Sequence, residues 1–164
     1  MSISALSVAQ IRALSTTAIQ SLSTTSIQSL TTTQVAAFTT TGIGALSSTQ
    51  FGDFSTTQVR ALATTQIPSI NSSVAFTSGQ LLVLSAQQLG VLATAQVATM
   101  DTTAIGSFTI TQIGGFSSTN LSSLDATQAG ALKTTQIAAF STTQVGGLTE
   151  TDIGELNATQ MGAF

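Results

Sequence analysis

Residues 141–148 read STTQVGGL, and the eight residues before them, 133–140, read KTTQIAAF. Each carries a polar quartet ending in Gln, then an aliphatic residue, two small residues and a second large apolar one. With the aliphatic residue lettered a, the octad runs a to h and fills most of the chain. Position a holds Ile3, Ile11, Ile19, Ile27, Val35, Ile43, Phe51, Val59 and Ile67, and three residues later d holds Leu6, Leu14, Leu22, Leu30, Phe38, Leu46, Phe54, Leu62 and Ile70. The count resumes at Leu81/Leu84 and runs unbroken to Met161/Phe164.

This period excludes the two simplest structures. Eight residues of continuous helix rotate the a/d pair by about 80° per repeat, so the apolar stripe would wind around the axis and never face one core. In a strand, the odd spacings of three and five put a and d on opposite faces. The chain must therefore turn within each octad.

The polar quartet says how. Ser or Thr at e with Gln at h is the capping-box pattern, with e as N-cap, h as N3, a as N4 and the preceding d as the apolar residue that staples onto N4. The spacing predicts a mainly α solenoid of very short capped helices, one per octad, held up by stacking because such helices do not survive alone. A Thr-rich β-solenoid is the alternative, favoured by the β-branched residues at a and the hydroxyl runs. Positions b and c are small, as in IAAF and VGGL; because b also accepts Arg12, Gln20, Gln28, Arg60 and Pro68, its glycines are expected to admit another coil and not a left-handed backbone. Phe116, Phe140 and Phe164 lie 24 residues apart, a hint of three octads per coil.

The chain reads as one solenoid over 1–164, with a first block at 1–70, an irregular joint at 71–80 and a second block at 81–164. In the joint, NSSVAF is a shortened unit in which Ala75 and Phe76 stand for a and d, next to Pro68 at a b position.

Composition bounds the function. The 42% apolar content argues for a buried core, while 5% charged residues and a net charge of −3 leave a neutral surface with no basic footprint for nucleic acid. With no His and no Cys, the residues of Ser triads, thiolate chemistry and most metal sites are missing, so no enzyme and no cofactor are expected. Only TETDIGEL, 149–156, gathers three acids, and it lacks the dense carboxylate alternation of a calcium loop. No apolar run nears the ~20 residues that span a bilayer, and the start of the chain lacks the pattern of a cleaved signal peptide.

At LKTTQIAAFSTTQVGGL, 132–148, the chain resembles the LTTTQIAAL-type octapeptide tandem repeats of very large bacterial exoproteins, often labelled as haem-utilisation or adhesion related. The resemblance implies an extracellular or surface-displayed structural region. Its haem label finds no ligand here, since the chain has no His, Cys or Tyr and its Met residues stand at Met1 or in a and d slots.

The ends suggest what such a region does. Ser2 already occupies h, Ile3 is a first a, and Phe164 is a d, so the terminal octads carry no polar cap. Ile3, Leu6, Met161 and Phe164 are the expected self-assembly residues, joining copies head to tail into a filament or a stalk. The alternative function is a binding surface of regularly spaced Ser/Thr hydroxyls, for ice or a glycan.

Overall fold

A computed structural model describes residues 3–164; Met1 and Ser2 lie outside the described residues. All secondary structure in the described chain is helical, with no strand. Contacts divide it into two compact units, Met1–Ala75 and Phe76–Phe164.

The first unit opens with a 3-10 turn, Ile3–Ala5, followed by α1 (Val8–Arg12), α2 (Thr16–Gln20), α3 (Thr24–Gln28), α4 (Thr32–Ala37), α5 (Thr40–Gly44), α6 (Ser48–Gly52) and α7 (Thr56–Arg60), and closes with a second 3-10 turn, Ile67–Ser69. The second unit holds α8 (Ser78–Leu82), α9 (Ala86–Gly90), α10 (Thr94–Val97), α11 (Thr102–Ser107), α12 (Ile110–Ile113) and α13 (Ser118–Ser122). It continues with α14 (Ala126–Gly130), α15 (Thr134–Ile137), α16 (Thr142–Gly146), α17 (Glu150–Gly154) and α18 (Ala158–Met161).

Most octads fold in the same way. The e residue is extended, as at Ser55 (φ −65°, ψ 159°), and its hydroxyl accepts from the h amide, here Gln58 N at 3.2 Å. One turn of helix follows. The d amide then donates back to the a carbonyl, as Leu62 N does to Val59 O at 3.2 Å, and closes the end. Where helix α4 ends, Phe38 at d is already extended (φ −58°, ψ 140°), so d and e form the corner between helices.

Within each unit, a helix packs on the third helix along: α1 on α4, α2 on α5 and α4 on α7 in the first, and α8 on α11, α9 on α12, α13 on α16 and α15 on α18 in the second. Three octads therefore make one coil, and the a and d side chains of successive coils share one interior. Ile27, Val35, Val59, Leu89 and Val97 have essentially no exposed surface. The two Phe side chains at d in neighbouring coils, Phe140 and Phe164, meet edge to face with ring centroids 6.3 Å apart.

No described residue has a positive φ, so the glycines are not there for backbone freedom. At some positions they are there for space. A Cβ on Gly90 at b would lie 2.4 Å from Gly115 O, and one on Gly147 at c would lie 2.2 Å from Ser118 Cβ, both in adjacent coils. Gly52 and Gly130 face no atom within 4 Å, so close approach explains only part of the pattern.

Two irregularities have local causes. The octad before the joint has Ala63 at e, which offers no cap hydroxyl, and Pro68 at b, which has no N–H; it forms a 3-10 turn in place of an α-turn. In the joint, Val74 and Phe76 are the buried pair, at 2% and 7% exposure, while Ala75 points to solvent. The expected assignment of Ala75 to a is thus off by one residue, because this segment is not helical and an extended chain buries alternate residues.

Two measurements follow from this packing. Ile113→Ala or Phe116→Ala, each removing a core side chain from 2% and 4% exposure, should destabilise by about 2–5 kcal/mol in denaturant titrations. Ser141→Ala, which deletes the acceptor 3.2 Å from Gln144 N, should cost about 1 kcal/mol, whereas Thr142→Ala at solvent-exposed f should be close to neutral. Greater sensitivity at Thr142 than at Ser141 would contradict the capping assignment.

Candidate functional site

The recurring polar site of this fold is the h position. In the octad of Ser55, the Gln58 Oε1 accepts from Ser55 N at 2.8 Å and completes the capping box. Its Nε2 then leaves the helix and donates to Ile27 O and Leu30 O, both at 2.8 Å. Those are the a and d carbonyls of the octad three earlier, at the C-terminal end of helix α3 in the coil below. One side chain closes the start of its own helix and the end of another.

The bond recurs through both units. Gln34 reaches Ile3 O and Leu6 O, Gln50 reaches Ile19 O and Leu22 O, and Gln66 reaches Val35 O and Phe38 O. Further along, Gln128 reaches Val97 O and Met100 O, Gln136 reaches Ile105 O and Phe108 O, Gln144 reaches Ile113 O and Phe116 O, and Gln160 reaches Ala129 O and Leu132 O. The sequence offset in these pairs is 31 and 28 residues; Gln112, whose amide reaches Leu82 O and Leu84 O, has offsets of 30 and 28. These glutamines are buried, with Gln136 at 2% and Gln144 at 3% exposure.

The exceptions show what the site requires. Asn120 is one methylene shorter: its Nδ2 lies 3.5 Å from Leu89 O and 3.2 Å from Leu92 O, and its Oδ1 accepts from the Ser117 hydroxyl at 2.5 Å, with the backbone half of the box lost. At Ala93 and Lys133, e has no hydroxyl to offer, yet Gln96 and Gln136 still accept from its N–H at 3.1 and 2.7 Å. The Gln96 Nε2 is buried without a hydrogen-bond partner among the described residues. Gly42 puts no side chain into its site, and Ile19 Cδ1 lies 3.0 Å from where a Cβ would stand.

Sequence reasoning assigned Gln to the capping box and missed its second bond. The signal was present: a capping box accepts Glu as readily as Gln, yet h is most often Gln, never Glu, and acidic only at Asp152, a bias toward the amide that points to acceptors for its N–H groups.

Two aspartates make hydroxyl contacts of the same inter-coil kind. Asp101 at e accepts from the Ser78 hydroxyl of the preceding coil and from Ala104 N, and these bonds hold its carboxyl below the usual range. Burial pushes the Asp152 carboxyl up, but bonds from the Ser122 hydroxyl at 2.6 Å and Thr149 N at 2.7 Å outweigh it, and the net direction is down. Lowered carboxylates add stability above the unfolded value near 4 and lose it as pH falls through the lowered one, so acid and not neutral pH weakens these contacts. Among the described residues no group of three or more His, Cys, Asp or Glu is placed to hold a metal ion.

The four expected assembly residues are divided by the structure. Ile3 is buried at 7% exposure and Leu6 is half-buried, whereas Met161 and Phe164 are 40% and 52% exposed. The reason is the direction of stacking: the a side chains of each coil face the coil that follows, so Ile3 lies under Gln34 and its neighbours, whereas among the described residues no coil packs over the last one. Val145 and Ile153, at 37% and 39% exposure, share that open face and were not singled out. They are legible only once the coil is known to hold three octads.

A family model of the ALTTAQ repeat matches residues 3–40, which marks that part of the chain as a tandem-repeat region. No curated protein and no solved structure matches the chain. No described helix is long and apolar enough to cross a membrane.

The amide has a direct test. In Gln136→Glu one carboxylate oxygen can still accept from Lys133 N, but the other faces Ile105 O and Phe108 O with no proton to give. The substitution should cost about 3 kcal/mol or more at pH 7. Burial against carbonyls raises the folded-state pKa of the new acid, so the variant should lose stability as pH rises from about 4 to 7. The parent, with no His, should be flat over that range. A variant as stable as the parent at pH 7 would show that the amide protons are not needed.

Proposed function

We propose that the chain is a non-catalytic structural protein that self-associates end to end, as a filament or a stalk within an extracellular bacterial structure. The observation that carries this reading is the open face of the last coil, where the a residues Val145, Ile153 and Met161 and the d residue Phe164 are 37–52% exposed. Interior coils bury the same positions under a following coil, so the face has the shape and polarity of an interface without its partner. With only 5% charged residues, little repulsion keeps copies apart. A non-closing contact between unlike ends is the geometry of a fibre. The surface location rests on the resemblance to bacterial exoprotein repeats, and the cysteine-free composition agrees with it.

A hydroxyl-array surface for ice or a glycan has less to stand on. The e hydroxyls are taken up by the h amides, as in Ser55 with Gln58 N, and only f and g face solvent. Stacked helices also set ranks of hydroxyls about 8–10 Å apart, roughly twice the spacing of stacked strands.

Sedimentation over a wide concentration range tests the reading. The parent should form elongated oligomers, and Met161→Lys should leave a monomer of unchanged helix content, because an unpaired ammonium would be desolvated in the joint. A parent that stays monomeric at high concentration would rule the self-association reading out.

A further inference from the structure

We infer that a second copy of this chain seats its first coil, residues 3–26, on the last coil, 141–164, in the same register that joins interior coils, with Gln10 as the amide clamp. The inference rests on the self-association reading and specifies its contact.

The interior fixes what the open face accepts. In most octads that have a following coil, an h amide donates to the a and d carbonyls three octads earlier, as Gln144 does to Ile113 O and Phe116 O; Gly42, Gln96, Ala104 and Asp152 are h positions that do not. Among the described residues no side-chain amide reaches Val145 O or Leu148 O. The complementary group is in the first coil. Gln10 is exposed, its Oε1 already holds Ser7 N at 2.9 Å, and its Nε2 donates to nothing among the described residues. Three octads beyond Val145 the count reaches 145 + 24 = 169, five residues past Phe164, and an octad starting at a partner's Ile3 fits that place. The partner's Gln10 then lies over Val145 O and Leu148 O.

Charge agrees with this pairing. Residues 141–164 hold Glu150, Asp152 and Glu155, half of the chain's six acids, and no cation. Residues 3–26 hold Arg12 and no acid. The contact is also weaker than an interior one, since the other two h positions of the first coil are Ala18 and Ser26, which carry no amide. A single clamp makes assembly reversible and concentration-dependent.

That deficiency supplies the test. In the full chain, Ala18→Gln with Ser26→Gln adds two donors to the joint, and the association constant measured by sedimentation equilibrium should rise at least tenfold. Gln10→Met should lower it about tenfold, and Arg12→Glu should lower it and reverse its response to added salt, because salt then screens repulsion in place of attraction. Helix content of each variant, checked in parallel, should be close to the parent because these side chains face solvent or are half-exposed, with Gln10→Met lowering the melting point by no more than the loss of its one cap bond to Ser7 N accounts for. If the parent associates and Met161→Lys abolishes it, but the Gln10 and Ala18/Ser26 variants stay within twofold of the parent, the ends join in another register: this inference falls and self-association stands. If the parent does not associate, both fall.

Discussion

The primary amide of glutamine at h is the group on which the rest of this structure depends. A helix of five residues leaves most of its terminal N–H and C=O groups without intrahelical partners, and nucleating it costs more than its few hydrogen bonds return. Gln58 resolves both problems with one side chain, accepting from Ser55 N at the start of its own helix and donating to Ile27 O and Leu30 O at the end of another. Because the second bond goes to a different coil, no octad is complete alone. Local capping and tertiary stacking are the same event, and cooperativity between coils is built into the repeat.

The bond also has a direction. Amides point toward earlier coils and a/d carbonyls toward later ones, so the two ends of a stack are chemically unlike. At the first coil, Ile3 is buried and half-buried leucines and the Gln10 amide face outward. At the last coil, the a side chains of Val145, Ile153 and Met161 are open. Polarity of this kind favours unlike ends meeting over like ends, because two last-coil faces would bring acceptors against acceptors and acids against acids.

Much of this was legible in the sequence. The octad, its capping box and the a/d core follow from spacing and residue chemistry, and STTQ is as clear a helix start as local sequence provides. What stayed hidden depends on how octads stack. The destination of Nε2 requires the coil to contain three octads, and a uniform repeat marks that number only faintly, in the 24-residue spacing of Phe116, Phe140 and Phe164. Without it, Ile3 and Met161 look equally terminal, though one is buried and the other open. The register also slipped at Val74 and Ala75, where the backbone leaves the helical pattern on which the lettering was based. Gly90 and Gly52 share a position letter, but only the first faces a backbone within contact distance.

Side-chain amide hydrogen exchange, followed by NMR with Gln resonances assigned, tests the central claim most directly. The Nε2 protons of Gln58, Gln128, Gln136 and Gln144, each buried and bonded to carbonyls of the preceding coil, should exchange far more slowly than those of exposed Gln10, Gln20 and Gln28, with protection that is lost together on global unfolding. Uniformly fast exchange across all of these glutamines would contradict the account, because the coils would then be held by apolar packing alone.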